Sequence, residues 1–229
     1  MKKLRKVVSQ KKEKRSFFLD DEILAYISAS STETDPIQRA LIDETATLGW
    51  VSRMQISPDQ GNLLTLLVRA SQPRFAVEVG TFTGFSALAI ARGLPADASL
   101  LCCDVSEEWT DIARRYWREA KVDGRIELAL APALETLEQL PETKHIDFAF
   151  VDADKKNYIN YYEAILLRLS ENGLIVVDNV LWSGRVVDER ANDDDTIAIR
   201  EFNEHVKNDD RVTCAMLSIG DGVSIIQRA

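Results

Sequence analysis

Phe75-Ala76-Val77-Glu78-Val79-Gly80-Thr81-Phe82-Thr83-Gly84-Phe85-Ser86, residues 75–86, decides the fold. A short apolar run closes on glycine, as a buried parallel strand does where it turns into a helix. Residues 86–92 read as that helix. The same unit recurs downstream. Ser99-Leu100-Leu101-Cys102-Cys103-Asp104 is a second strand, followed by a helix over 107–120. A third strand spans 125–130, with a helix through Leu134, Leu137 and Leu140. Residues 145–152 form a fourth strand and 158–169 its helix. Asn172-Gly173 turns into Leu174-Ile175-Val176-Val177-Asp178, the fifth strand. Five alternations of strand and helix argue for a parallel sheet covered on both faces. After one more helix over 195–208, two strands (212–217 and 223–226) flank Gly220-Asp221-Gly222, a Gly-rich hairpin. The expected fold class is α/β, a doubly wound Rossmann-like sheet closed by a C-terminal antiparallel hairpin.

Upstream, residues 20–71 read as helices. Asp35-Pro36 opens a run with Ile37, Ala40, Leu41 and Leu48 at helical spacing. Ser57-Pro58-Asp59-Gln60 opens another, with Ser57 as N-cap, Pro58 at the first helical position and Gln60 placed to complete a capping box. The expected organisation is a basic tail over 1–18, poorly ordered, and one domain over 19–229. Within that domain, 19–71 supplies N-terminal helices that pack on a larger body or a second subunit, and 72–229 the core.

The chain has 229 residues and a formal net charge of −9 at pH 7. Residues 1–15 carry eight basic side chains against the single acid Glu13, so the tail is +7 and the remainder −16. An acidic body argues against a general nucleic-acid binder. No uncharged apolar run approaches a membrane span of roughly 20 residues, and no apolar stretch after the basic tail suggests a cleaved secretory signal. Cys102, Cys103 and Cys214 form neither a CxxC motif nor an even disulfide set. A reducing, cytoplasmic location is expected.

Ligands of an open parallel sheet bind beyond the carboxyl ends of the strands. Here those ends read Glu78-Val79-Gly80, Asp104, Asp152 and Asp178-Asn179. Gly80 lets a ligand approach the first turn, and Asp104, at the end of the second strand, suits the hydroxyls of a ribose. The pair points to an adenosine-containing cofactor, without separating a nicotinamide dinucleotide from S-adenosylmethionine. Asp152, Asp178 and Asn179 offer three hard oxygen donors, which suits Mg²⁺, Mn²⁺ or Ca²⁺. Neither His145 nor His205 stands at a carboxyl end, which disfavours zinc. Lys155 follows Asp152 by one helical turn. Taken singly, each acid also reads as a cap or turn residue.

These stretches resemble the cation-dependent O-methyltransferases of the caffeoyl-CoA and catechol type. The matching blocks are 54–61, 78–86, 151–155, Asp178-Asn179-Val180-Leu181-Trp182-Ser183-Gly184 and Gly220-Asp221-Gly222, in order across residues 50–229. The resemblance implies the seven-stranded methyltransferase sheet and a homodimer. It implies that Ile56, Glu78, Gly80, Thr81, Ser86, Asp104, Ala133, Asp152 and Asp154 surround S-adenosylmethionine. It also implies that Asp152, Asp178 and Asn179 bind the cation, with Asp152 and Lys155 catalytic and Lys155 the general base. Met54, Lys155, Asn179 and Trp182 would line the pocket of a small aromatic vicinal-diol acceptor. Ile56 departs from the small hydroxyl residue of plant-type members, so a backbone contact is expected there. Residues 185–195 carry five acids against Arg185 and Arg190; this run would repel the phosphates of CoA. Catechols, free hydroxycinnamates or flavonoids are therefore expected before CoA esters. Two rival readings are a nicotinamide-dependent oxidoreductase, disfavoured by the missing GxGxxG, and a methyltransferase acting on RNA or another acceptor, disfavoured by the acidic body.

Overall fold

A computed structural model describes residues 21–141 and 143–229. The basic tail over 1–18 lies outside the described residues. Helix α1 (Asp21–Ser30) belongs to one compact unit and residues 34–229 to another. The second unit contains helices α2 (Pro36–Ala46), α3 (Pro58–Ser71), α4 (Phe85–Gly93), α5 (Glu107–Glu119), α6 (Ala133–Gln139), α7 (Tyr158–Arg168) and α8 (Asp194–Lys207). Its strands are β1 (Phe75–Val79), β2 (Ser99–Asp104), β3 (Ile126–Leu130), β4 (Ile146–Val151), β5 (Leu169–Val177), β6 (Val212–Leu217) and β7 (Val223–Arg228).

The seven strands form one sheet in the order β3-β2-β1-β4-β5-β7-β6. Neighbours from β3 to β5 are parallel, and β7 runs antiparallel to both β5 and β6. The chain leaves β1 toward β2 and later returns on the other side at β4. The strand order therefore reverses between β1 and β4, where open α/β sheets bind their ligands.

Alternation along the strands splits the core into two layers. Val77, Val79, Ala149, Val151, Ile175 and Val177 face α6, α7 and α8, where Leu137, Tyr158, Tyr162, Ile165 and Phe202 complete one buried cluster. Ala76, Leu100, Cys102, Phe148, Phe150 and Val176 face α3, α4 and α5, represented by Leu64, Val68, Leu88 and Trp117. Central strands buried on both faces explain why they read as continuous apolar runs. Cys102 and Cys103 are buried as free thiols and Cys214 is exposed. Helices α2 and α3 pack on this body through Leu41, Leu64 and Val68, all fully buried. Among the described residues no helix is long and apolar enough to cross a membrane.

Two local expectations need correction. The fifth strand starts at Leu169, not after Asn172-Gly173. From Ile146 to Phe148 β4 advances two residues while β5 advances five, from Leu169 to Leu174. Asn172 and Gly173 therefore sit in a bulge within the strand. The buried Leu169 side chain draws the pairing forward, and a Cβ on Gly173 would lie 2.7 Å from it. The expected capping box at Ser57 is also absent. Ser57 is the N-cap of α3, but its side chain caps nothing, and its hydroxyl is buried without a partner. Gln60 turns inward and is buried, its Oε1 2.6 Å from where a Cβ on Gly220 would stand. The capping box forms instead at α2. There the Asp35 carboxylate accepts from Ile37 N (2.8 Å) and Gln38 N (3.1 Å), and Asp35 N donates to Gln38 Oε1 (3.1 Å). Asp35→Ala should cost about 1–2 kcal/mol in urea unfolding, and Ser57→Ala no more than a few tenths. Equal losses would contradict the two cap geometries.

Candidate active site

The turn after β1 is built around Gly80. Its φ is +88°, and a Cβ there would stand 1.9 Å from the backbone oxygen of Asp152. Only glycine lets the ends of β1 and β4 come this close. Asp104 orders the same turn. Its Oδ2 accepts from Thr81 N (2.9 Å) and Phe82 N (2.8 Å), and its Oδ1 from Ser106 N (2.8 Å). A carboxylate offers about four acceptor sites, so capacity for a further donor remains. Phe82 holds a left-handed φ of 49° and packs edge-on against Trp109, ring centroids 5.0 Å apart.

Glu78 lies beneath this turn, on the face of β1 that carries Ala76. It is fully buried, and both carboxylate oxygens lack a hydrogen-bond partner. The buried Thr81 hydroxyl is likewise unpartnered. Burial pushes the Glu78 carboxyl up to about 8, although Ser86, Cys102 and Thr81 lie close enough to temper the shift. A buried acceptor without a donor is costly. These orphaned oxygens fit a ligand that brings positive charge and N–H or O–H donors.

On the other side of the reversal point, β4 and β5 present a second cluster. Lys155 is buried, and its ammonium donates to Asp152 Oδ1 (3.0 Å), Asn179 Oδ1 (2.7 Å) and the Tyr158 hydroxyl (2.7 Å). All three donors of the ammonium are thereby used. The Trp182 ring lies 5.5 Å from Lys155 Nζ, within cation–π range. Burial, then Asp152 and Asp178, raise the Tyr158 phenol well above its usual range. The protonated phenol passes its own hydrogen to the Asp178 backbone oxygen at 3.2 Å. Asp178 is buried; desolvation first, then the charge of Asp152, pushes its carboxyl up to about 7. One ammonium and two carboxylates therefore meet here. The donor set fits a hard divalent cation.

The remaining expected residues are placed as follows. Ser86 and Ile56 are buried, and Ala133 begins α6. The Asp154 carboxylate is shared between Tyr161 Oη (2.6 Å) and Asn157 Nδ2 (2.6 Å). Met54 ends the 3₁₀ turn Gly49–Met54 and is 42 % exposed. The structure thus joins Asp152, Lys155, Asn179 and Trp182 directly, and Asp178 through Tyr158. It shows no such direct bond between them and Met54 or Ile56. Sequence reasoning missed Tyr158 and Tyr161. Their spacing was the available signal, since each falls on α7 within two helical turns of the acid–lysine motif. It also missed Asp221, whose Oδ1 accepts from Ser183 N at 2.5 Å. A separate trio of ligand-type side chains, Glu163, His205 and Asp209, lies apart from the strand ends. Arg211 already bonds Glu163 (2.7 Å) and Asp209 (2.6 Å), so that trio reads as an ion-pair network.

A Rossmann-like sheet of this strand order, with a glycine turn and an oxygen-rich rim at its reversal point, defines the class as methyltransferase-like. Comparison with known proteins carries this to a family. Residues 28–229 match the model of a family described as O-methyltransferase. The chain is 36 % identical over 213 residues to "Probable caffeoyl-CoA O-methyltransferase 2" of Dictyostelium discoideum, covering 91 % of this chain and 92 % of that one. It is 35 % identical over 209 residues to "Catechol O-methyltransferase domain-containing protein 1" of Mus musculus, covering 90 % and 79 % respectively. Among solved structures, the O-methyltransferase from Bacillus cereus in complex with SAH superposes with a TM-score of 0.82 at 30 % identity, covering 90 % of this chain and 96 % of that one. The chain belongs to this O-methyltransferase family.

The buried Glu78 gives a pH signature to the ligand-free protein. Its folded value lies above that of an unfolded glutamate, so the contribution of Glu78 to stability is full below about 4.5 and falls as pH rises toward 8. Glu78→Gln should flatten the loss of unfolding free energy between pH 5 and pH 8, by up to about 1.4 kcal/mol per pH unit. Denaturant titrations at both pH values measure this, and parallel wild-type and mutant profiles would contradict it.

Proposed function

We propose that this S-adenosylmethionine-dependent O-methyltransferase methylates one hydroxyl of an aromatic vicinal diol with the help of a divalent cation, Mg²⁺ first. The single observation behind this reading is the Lys155 network. A lysine, the side-chain oxygens of Asp152 and Asn179 and the Trp182 ring meet at the carboxyl ends of β4 and β5, with Asp178 linked through Tyr158.

Glu78, Gly80, Thr81, Ser86 and Asp104 would hold S-adenosylmethionine, with Ile56, Ala133, Asp152 and Asp154 around it. The orphaned Glu78 and Thr81 oxygens support this placement. Bound there, the cofactor supplies an activated methyl group. Asp152, Asp178 and Asn179 would hold the cation, which supplies the Lewis acidity that aligns two adjacent hydroxyls and eases loss of a proton. Lys155 Nζ, in its neutral amine form, would receive that proton and become the ammonium, with Asp152 and Tyr158 keeping it aimed. Trp182, with Met54 and Asn179, would wall the acceptor and exclude water.

The substrate class we favour is a small catechol, a free hydroxycinnamate or a flavonoid. The acids of the segment after Trp182 support this. Asp188 and Asp193 are ionised in pairs with Arg190 and Arg185, and Asp194 pairs with Lys156, so five acids against three bases leave a smaller negative excess. A homodimer is the assembly we favour, supported by large apolar side chains such as Trp50 and Leu66 left exposed on the single chain.

The test is methyl transfer from labelled S-adenosylmethionine to a set of vicinal diphenols, with Mg²⁺ or with EDTA. We expect labelled product with Mg²⁺ and its loss with EDTA. Product that survives EDTA would remove the cation from this reading. Lys155→Met should lower kcat by about 10²-fold or more while cofactor binding is retained. Caffeic acid should be turned over faster than its CoA ester, and a strong preference for the ester would overturn the acceptor assignment.

A further inference from the structure

Between Asp178 and α8 the chain crosses the Lys155 side as a strap. Its first part is unusual in its backbone. Trp182 (φ 47°), Ser183 (φ 51°) and Gly184 (φ 77°) are all left-handed. Two consecutive residues with side chains in that region cost about 1 kcal/mol or more each. Such a turn relaxes unless bonds from outside hold it. On one side the 220–222 hairpin supplies them: Asp221 Oδ1 accepts from Ser183 N, Asp221 O from Leu181 N (3.0 Å), and Gly222 O from Val180 N (3.1 Å).

On the other side the bonds come from one face of α8. Thr196, Arg200 and Asn203 follow each other at spacings of four and three, so they form a polar stripe beside the apolar one. Thr196 Oγ1 accepts from Arg185 Nε (3.1 Å), and Asn203 Nδ2 donates to Val180 O (2.8 Å). Arg200 stands between them. Its guanidinium donates to four backbone oxygens: Val186 (3.0 Å), Ala191 (2.8 Å), Arg185 (2.8 Å) and Asp188 (2.5 Å). A planar fork of five donors can span four carbonyls; an ammonium, with its three donors on one atom, cannot. The strap is therefore fastened at both ends, with Trp182 carried on its strained turn.

We propose that Arg200 is a positioning residue for the methyl acceptor. By locking residues 185–191 it keeps the left-handed turn closed and holds the Trp182 ring beside Lys155. The acceptor wall is thus built before substrate arrives, and its shape is set from a helix that need not touch the substrate. This inference rests on the reading that the Lys155–Trp182 side takes the acceptor.

Two measurements on the full chain test it. The first is hydrogen–deuterium exchange without ligands. The second is steady-state kinetics with caffeic acid and S-adenosylmethionine varied in turn. In Arg200→Met, amide exchange over 182–191 should rise about tenfold or more while β1 and β4 stay protected as in the wild type. The acceptor KM should rise about tenfold, with the S-adenosylmethionine KM within about twofold of wild type. Arg200→Lys should fall between the two, and it decides by the same readouts if the methionine variant does not fold. Unchanged exchange over 182–191, exchange that spreads through the sheet, or equal rises in both KM values would overturn the proposal. If the wild type turns over no diphenol, the vicinal-diol reading falls, and the exchange experiment alone decides the role of Arg200.

Discussion

The Lys155 ammonium ties the ends of β4 and β5 into one rim, and the candidate site depends on it. It bonds Asp152 from one strand end and Asn179 from the next, and it supports the Tyr158 phenol that reaches the Asp178 backbone. Without it two carboxylates and an amide oxygen would converge with no positive partner. With it one ammonium faces two carboxylates, Asp152 and the buried Asp178. Few amino acids can stand in such a place. A neutral side chain would leave the carboxylates unpaired, and burying unpaired charge is far more costly than any gain from packing.

The same excess of acceptors recurs on the neighbouring strand, where Glu78 and Thr81 keep buried oxygens without partners. Two such places flank the point where the sheet reverses its order. Natural interiors rarely tolerate buried acceptors that nothing satisfies. Others stand elsewhere, at Ser57 and Asn203 for example, but the Glu78 carboxylate with both oxygens unpartnered lies at this edge. The scaffold carries the burial energy, and the rim carries polar groups that only a ligand completes.

Much of this was legible in the sequence because it depends on period and position. Apolar runs ending in Gly80, Asp104, Asp152 and Asp178 gave strands, their direction and the edge at which the acids meet. What escaped was set by contacts distant in sequence. Gln60 follows Ser57 at capping-box spacing, yet the space beneath the Gly220 turn draws it inward, and no local rule sees that turn. The Asn172-Gly173 pair looked like a boundary, but the pull of a buried Leu169 extended the strand past it. Asp104 was read as facing a ligand, and the structure shows it also fastening the Gly80 turn. The hold of Arg200 on the strap was invisible because its partners are backbone oxygens, which leave no trace in residue type.

The strap and the rim assign different work to different elements. Strand ends fix the charged atoms, since they stand on the most buried part of the fold. Trp182 stands on a strained turn fastened by α8 and the hairpin, apart from the strand ends that fix the charged atoms.

Manganese binding tests the central claim, that the rim is a cation seat left incomplete by Lys155. Electron paramagnetic resonance titration of the full chain with Mn²⁺ should show one ion held per chain, and Asp178→Asn should weaken binding by about tenfold or more. Binding of equal strength in the wild type and in Asp178→Asn, or no bound ion in the wild type, would contradict it.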